Sequence, residues 1–374
     1  MISFGTVNIV IAGGGASGAL TPGLAVADEL RGLLANSRLT LAGSGSVREY
    51  RRVARGGHKY RVVGLPGDTA RKPGLLSRLS RFAAERRLLK QAGASAVVSV
   101  GGEIGERVGR AAVALGLPLV VLDCDAIPCR ATRYLASHAD LVCLGYEEAR
   151  QYIRSPGGPV RVTGVPLPAS NRLSYADRFR RRDARKTKPF KRLLILSDRQ
   201  GNHQLDAVLP RALDRLQNRL DSWRVVHHTN AMEVRTVKGL YRRFRIDAVA
   251  TSHIHHLPAM LDRVDLAIAD ASSDTFADVT AAGLPVVLAS ADRRSGGQQL
   301  ANAKMLQRHG ACALVERTDR EEEWMRVLDP LLADAGRRQL LSTALERHFP
   351  SDAAWQIAVM IRDLLATPQR RRSA

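Results

Sequence analysis

Aromatic residues make up only 5% of this 374-residue chain and are not interleaved with its basic residues, which speaks against a platform that stacks single-stranded nucleic acid. Cysteine is scarce as well. Cys124, Cys129, Cys143 and Cys312 have neither the spacing of metal ligands nor the density of a secreted disulfide scaffold, so they read as reduced, mostly buried thiols. No run of about 18 apolar residues occurs, so no membrane-crossing helix is expected. Met1-Ile-Ser-Phe-Gly-Thr6 leads straight into a β-type pattern without a basic region and a long apolar core, so a cytoplasmic protein is expected, at most peripheral to a membrane. Acidic residues are in deficit: 57 Lys and Arg against 36 Asp and Glu leave a net charge of +21. That excess asks for an anionic partner, whether nucleic acid, an anionic membrane face or a phosphorylated substrate, but no nucleic-acid-binding motif accompanies it.

What is present is an alternation of strand and helix patterns. With 45% hydrophobic and 25% charged residues the chain is globular, and its length suits two domains. Apolar β-type runs at Thr6 to Ala12, Leu39 to Ala42, Tyr60 to Leu65, Ala96 to Val100, Pro118 to Leu122, Leu141 to Leu144 and Val160 to Thr163 are separated by helical stretches. This is the pattern of parallel βαβ units in a doubly wound domain. A second series has strands at Leu193 to Leu196, Arg224 to His227, Ala248 to Ile254, Leu266 to Ala269, Pro285 to Ala289 and Ala311 to Val315. The expected division is a first domain over 1–165, a basic linker over 166–191, a second domain over 192–350, and a C-terminal helix with a basic tail over 351–374.

Two stretches carry most of the chemical information. Gly13-Gly-Gly-Ala-Ser-Gly18 lies between the first strand and a helical pattern beginning Thr21-Pro-Gly, so it is either a tight turn or a loop whose backbone lets a phosphate approach. It is not the full dinucleotide pattern Gly-x-Gly-x-x-Gly, and no acidic ribose ligand stands out after the next strand. Farther on, Leu266-Ala-Ile-Ala runs into Asp270-Ala-Ser-Ser-Asp-Thr-Phe-Ala-Asp278, where Ser, Asp and Thr suit a helix N-cap. A helix opening directly after a parallel strand presents free N–H groups to an anion, with Asp278 one turn in to bind a sugar hydroxyl; the alternative is an ordinary capped helix. His227-His228 and His253, His255, His256 stand at strand ends without recognised metal spacing, so they read as surface or cleft-lining residues and no metal is expected.

These motifs, in this order, resemble the MurG family, the bacterial N-acetylglucosaminyltransferases that make the second lipid intermediate of peptidoglycan. That family opens the donor helix with Ser-Gly-Ala-Leu-Thr-x-x-Glu, continues into Ala-Ala-Gly-Leu-Pro, and carries Gln-Gln-x-x-Asn-Ala downstream. Thr275, Ala281 to Pro285, Gln298, Gln299, Asn302 and Ala303 match, and the family glutamate falls on Asp278. The resemblance implies an α/β protein of the GT-B architecture: two Rossmann-like doubly wound domains facing a cleft, with the last helix, Asp352 to Ala366, crossing back to the first domain. It implies an acceptor-binding first domain, a nucleotide-sugar-binding second domain and a UDP-N-acetylglucosamine donor bound without a cofactor. Donor contacts are then expected at Ala16, Ser17, Gly18, Arg199, Ile254, Ser273, Asp274, Thr275, Phe276, Ala277, Asp278, Gln298 and Gln299. The acceptor would be an undecaprenyl-linked muramoyl peptide.

The acceptor side departs from the family more than the donor side. The family histidine of the first glycine loop is Ala19, the loop at Gly101-Gly102 continues as Glu103-Ile-Gly-Glu instead of Ser-Gly-Pro, and the His-Glu-Gln-Asn stretch has become Leu122-Asp-Cys-Asp125. Asp125 is then the candidate catalytic base, with Asp123 and Glu103 behind it; each also has an ordinary reading as a cap or ion-pair member. Ala19 keeps a second reading open, a catalytically silent relative that binds a nucleotide sugar as a sensor or assembly partner. The arginine-rich stretch Leu75 to Leu89 either packs as an amphipathic helix with a solvated basic face or lies on an anionic membrane. Arg370-Arg-Arg372 reads as a solvated tail.

Overall fold

The structure, a computed structural model, describes residues 6–14, 20–63, 75–167, 190–197, 203–255, 257–271, 279–280, 282–289, 297–350 and 352–367. The side chains of residues 48, 52, 55, 75–82, 203, 258, 270 and 299 also fall outside that description. The chain divides into two compact units, Met1–Ser170 with Pro350–Ala374, and Asn171–Phe349.

In the first unit β1 (Val7–Ala12), α1 (Leu20–Leu33), β2 (Ser37–Gly43), α2 (Val47–Arg55), β3 (Lys59–Val62), α3 (Leu75–Gln91), β4 (Ala96–Ser99), α4 (Gly102–Ala114), β5 (Leu119–Asp123), α5 (Arg130–Leu135), β6 (Leu141–Leu144) and β7 (Val160–Val162) alternate along the chain. The strands form one sheet in the order β3-β2-β1-β4-β5-β6-β7. All are parallel, with Ile9 opposite both Leu39 and Ala96. Every residue of β4, β5 and β6 is buried, as expected for strands covered on both faces.

Alternation along β1 divides the core. Ile9 and Ile11 face α1 and the last helix, whereas Val10 and Ala12 face α4. The last helix, Ala353–Ala366, packs on α1 through Ala354, Ile357, Ala358 and Ile361, the i, i+3, i+4, i+7 stripe of an amphipathic helix. Fully burying its two isoleucines contributes about 3–6 kcal/mol, enough to hold the C-terminal segment in the first unit.

The second unit repeats the plan. After β8 (Lys191–Leu196) come α6 (His203–Asp214), α7 (Gln217–Leu220), β9 (Trp223–His228), α8 (Val234–Arg243), β10 (Ala248–Thr251), α9 (Leu257–Leu261), β11 (Leu266–Asp270), β12 (Val286–Ala289), α10 (Gln298–Arg308), β13 (Ala313–Val315), α11 (Glu321–Ala333) and α12 (Ala335–His348). The helix Ala353–Ala366 is therefore α13. The sheet order is β10-β9-β8-β11-β12-β13, again parallel. Leu193 and Ile195 of β8 face Leu205, Leu209 and Leu213 of α6 and Trp324 and Leu328 of α11.

The strand β10 ends earlier than expected. The run predicted to Ile254 leaves the sheet after Thr251, because the Thr251 hydroxyl accepts the His253 N–H at 3.1 Å and donates to the His253 carbonyl at 2.9 Å, closing a local turn in place of the ladder. Among the described residues no helix is long and apolar enough to cross a membrane.

Candidate functional site

Ligands of open parallel sheets lie beyond the carboxyl ends of the strands, where strand order reverses. In the first unit the reversal is between β1 and β4. There β1 ends in Gly13 and Gly14, and β4 runs through Val100 into Gly101 and Gly102. Gly14, Gly101 and Gly102 have φ of 109°, 78° and 71°, a backbone region that side chains rarely adopt. Ala16, Ser17, Gly18 and Ala19 lie outside the described residues.

A carboxylate that the sequence reading missed stands against this loop. A Cβ on Gly14 would lie 2.5 Å from Glu49 Oε1. Glu49 accepts hydrogen bonds from the Ser44 N–H at 2.7 Å, the Ser44 hydroxyl at 2.9 Å and the Tyr60 hydroxyl at 2.6 Å. Burial and the Glu49 bond push the Tyr60 phenol pKa well up, so it stays a donor to that carboxylate. Glu49 thereby ties the turn after β2 to Tyr60 of β3, beside the loop after β1.

Of the three predicted acceptor-side carboxylates, Glu103 is exposed in the first turn of α4, Asp125 is half-buried, and Asp123 is buried at the end of β5. Asp123 Oδ1 accepts the Asp125 N–H at 2.9 Å and Oδ2 accepts the Cys129 N–H at 3.2 Å, so it shapes the turn that leads into α5. Burial first, and then the neighbouring Asp125 charge, raise its pKa to about 7, against hydrogen bonds from Thr132, Asp125 and Cys129 that pull it down. A Cβ on Gly101 would sit 3.2 Å from Cys129 Sγ, so the loops after β4 and β5 abut. Burial and the two aspartates hold the Cys124 thiol protonated. All four cysteines are free, with Cys143 and Cys312 buried and the other two partly so.

In the second unit strand order reverses between β8 and β11. The predicted donor residues Arg199 and Ser273, Asp274, Thr275, Phe276, Ala277 and Asp278 lie outside the described residues, in the chain that follows these two strands. Ile254 is half-buried just past β10, beside His253 and His255, whose rings meet edge to face at 4.5 Å. Gln298 and Gln299 begin α10 behind Gly297, a residue at φ 77°. Gln298 is half-buried; the Gln299 side chain is outside the description.

The reading of His227 and His228 as surface or cleft-lining residues is corrected here: they are 0% and 6% exposed. His227 Nε2 lies 3.0 Å from Asp206 Oδ1 and 3.0 Å from Ser197 Oγ, and Nδ1 lies 2.9 Å from the Tyr241 hydroxyl. The Ser197 and Thr229 hydroxyls also donate to Asp206, at 2.8 and 2.6 Å. Although burial pushes the Asp206 pKa up, bonds from His227, Thr229 and Ser197 outweigh it and hold the carboxyl below its ordinary range. Burial and the Asp206 charge push Tyr241 well up. An ionised Asp206 only accepts, so His227 Nε2 carries a proton that points to Asp206.

A serine, a histidine and an aspartate are together, yet they are not a nucleophilic triad. Ser197 and Asp206 share one imidazole nitrogen, whereas a triad places them on opposite nitrogens, and Ser197 is 5% exposed. The cluster braces the ends of β8 and β9 from beneath. Position was its only advance signal: Asp206 is one turn into the helix after β8 and His227 closes the next strand. Among the described residues, no group of three or more His, Cys, Asp or Glu is placed to hold a metal ion.

The chain matches the glycosyltransferase family 28 N-terminal domain over residues 9–143 and the glycosyltransferase family 28 C-terminal domain over residues 196–357. It is 32% identical to a UDP-N-acetylglucosamine–N-acetylmuramyl-(pentapeptide) pyrophosphoryl-undecaprenol N-acetylglucosamine transferase of Acidithiobacillus ferrooxidans, over 94% of this chain and 96% of that protein. A transferase of the same name from Sorangium cellulosum is 29% identical over 98% of this chain and 90% of its own length. Among solved structures, Acinetobacter baumannii MurG superposes with a TM-score of 0.75 at 20% identity, covering 96% of this chain and 99% of that one. Anabaena HepE in complex with UDP and glucose gives 0.60 at 15% identity, covering 96% and 99%. The architecture is therefore GT-B, and the chain belongs to glycosyltransferase family 28 as a MurG-like member.

Proposed function

We propose that this chain is an inverting, metal-independent N-acetylglucosaminyltransferase that moves N-acetylglucosamine from UDP-N-acetylglucosamine to an undecaprenyl-linked muramoyl-peptide acceptor in peptidoglycan precursor synthesis. What supports the reading above all is near-full-length identity of 32% to a transferase bearing that name. The acceptor hydroxyl attacks the anomeric carbon from the face opposite the diphosphate and passes its proton to the Asp125 carboxylate. The bond from the anomeric carbon to the diphosphate oxygen breaks with its electron pair, and UDP leaves. Backbone N–H groups at Ser273 to Thr275 and the Arg199 guanidinium offset the charge that develops on the leaving group. Asp278 holds the ribose, Ile254 lies beside the base, and Gln298 and Gln299 hold the sugar side. An anionic face of the cytoplasmic membrane, where the lipid-linked acceptor resides, accounts for part of the positive charge.

Ala19 favours a second reading, a silent relative that binds the nucleotide sugar without turning it over. Calorimetric titration with UDP-N-acetylglucosamine, UDP-glucose and UDP, followed by a transfer assay on a lipid-linked muramoyl acceptor, separates the two. Selective binding with turnover supports the transferase, and binding without turnover supports the silent relative. Asp278→Ala is expected to weaken nucleotide binding about tenfold or more, as loss of a charged hydrogen-bond partner does. Asp125→Ala is expected to lower turnover about a hundredfold, the scale of a general base, with binding retained. Unchanged nucleotide affinity in Asp278→Ala would remove the donor site from this position.

A further inference from the structure

The first unit contains a basic hollow that the donor and acceptor assignments leave unused. Arg130 and Arg133, one turn apart on α5, line it together with Tyr134, and Gln151, Tyr152 and Arg154 close it from the segment after β6. Its volume is about 490 Å³, within the range of small-molecule sites.

Charge is the first observation. The neighbouring carboxylates are already engaged: Glu106 with Arg110 at 2.7 Å and Glu147 with Arg150 at 2.8 Å. Among the described residues, Arg130, Arg133 and Arg154 have no acidic partner within ion-pair distance. Three guanidinium groups around one hollow repel one another. The walls are also set in place. Arg110, fixed by Glu106, lies over the Tyr134 ring at 3.9 Å, and His138 meets the same ring at 5.5 Å. The Gln151 amide is held on the Glu148 carbonyl at 3.0 Å. Just past Arg154 the chain turns at Ser155, a non-glycine residue at φ 46°, a strained backbone of the kind that persists where the surroundings impose it.

We propose that this hollow is a binding site for an organic phosphate, its phosphate held by Arg130, Arg133 and Arg154 and its organic body against Tyr134 and Tyr152. A lone carboxylate carries one charge against three, whereas a phosphate monoester brings up to two charges and three acceptor oxygens suited to the guanidinium fork. A bare phosphate ion would leave most of the volume and both tyrosines unused. The same chemistry is presented by a soluble phosphate monoester and by the monoester headgroup of phosphatidic acid.

Titration with sn-glycerol 3-phosphate, with UDP present throughout to occupy any nucleotide site, tests the soluble source. Co-sedimentation with phosphatidic acid–phosphatidylcholine vesicles, against phosphatidylcholine alone, tests the lipid source. Binding in either arm that weakens about tenfold or more in R133A/R154A, and strengthens as salt is lowered, is the expected result. R215A/R219A, which removes the same charge from the second unit, should bind within about twofold of the original chain. R133K/R154K, which keeps the charge and loses the fork, should fall between, and it serves as the readout if the alanine pair does not fold. The proposal is overturned if neither probe binds, if R133A/R154A binds as well as the original, or if R215A/R219A weakens binding equally.

Discussion

Asp206→Ala tests the buried cluster beneath the second sheet most directly. Its carboxylate receives bonds from Ser197 Oγ at 2.8 Å, His227 Nε2 at 3.0 Å and Thr229 Oγ1 at 2.6 Å, and all four residues are at most 6% exposed. Each hydrogen bond to a charged group contributes about 1.5–3 kcal/mol, but the three share one acceptor and do not add. Removing the acceptor strands three buried donors, so the expected cost is about 3–5 kcal/mol, the scale of breaking a buried pair. Against a total of about 5–15 kcal/mol for a domain, this leaves the second unit near its threshold. Asp206→Asn keeps the shape but sets an NH₂ against one donor, for about 1–3 kcal/mol.

Urea unfolding followed by tryptophan fluorescence isolates the effect. Of the three tryptophans, Trp223 and Trp324 are 3% and 0% exposed in the second unit, whereas Trp355 of α13 is 48% exposed. The Asp206→Ala midpoint should therefore fall by about 1–3 M urea. Because the folded-state pKa of Asp206 is lowered, its contribution is present above the unfolded carboxylate pKa of about 4 and is lost as pH falls through the folded value. Asp206→Asn should flatten that acid limb. A shift in Asp206→Ala worth less than about 1 kcal/mol would refute the view that the carboxylate carries the cluster.

Two further predictions concern the first unit. Asp123 has the opposite sign: its folded-state pKa is raised to about 7, so its contribution is present below about pH 4 and is lost as pH rises toward 7. Asp123→Asn should remove that decline from the stability-against-pH curve of the first unit, and an unchanged curve would count against the assignment. Gly105→Ala puts a Cβ 2.7 Å from Ser99 Oγ and 3.2 Å from the Ala12 carbonyl oxygen, where β1 and β4 end, and should destabilise by about 1–3 kcal/mol. Gly32→Ala in α1 meets nothing within 4 Å and should stabilise by about 0.5–1 kcal/mol, so paired thermal melts separate close packing from helix propensity.

The fold was legible in the sequence because parallel strands buried on both faces read as short apolar runs. Leu141–Leu144 has the span expected of it, and Lys191–Leu196 and Trp223–His228 differ only by a residue or two at their ends. The supports of the site were not legible. Asp206, His227 and Tyr241 are 21 and 14 residues apart, and only the parallel register, which sets His227 opposite Ile195, brings Asp206 beneath the end of β9. A histidine pair at a strand end reads as wet until that register is known. Glu49 is likewise 35 residues past Gly14 and meets it only through the packing of α2 beyond β2. Asp123 was legible as a residue of interest because it lies in sequence beside Asp125, but its burial and its two backbone donors depend on the turn into α5.

Glu49, Asp123 and Asp206 share a placement: each sits at the carboxyl end of a sheet and fixes a loop through bonds that the loop's own sequence does not announce. Their proton chemistry differs for a physical reason. Asp206 has two hydroxyls and an imidazole N–H around it, enough to outweigh burial, and remains an ion. Asp123 has two backbone N–H groups and the Thr132 hydroxyl, and it also faces the charge of Asp125, so burial wins and it exchanges a proton near neutrality. On the proposed reading the consequence is an asymmetry between the two halves of the reaction. The acceptor-side turn carrying Asp125 rests on a carboxylate whose charge changes within the ordinary working pH range, whereas Ser197 at the end of β8 and Thr229 past β9 rest on one whose charge does not. Turnover should then vary across neutral pH while nucleotide affinity stays level, and the sequence change that matters for that difference is the aspartate two residues before Asp125 rather than any residue of the nucleotide loop.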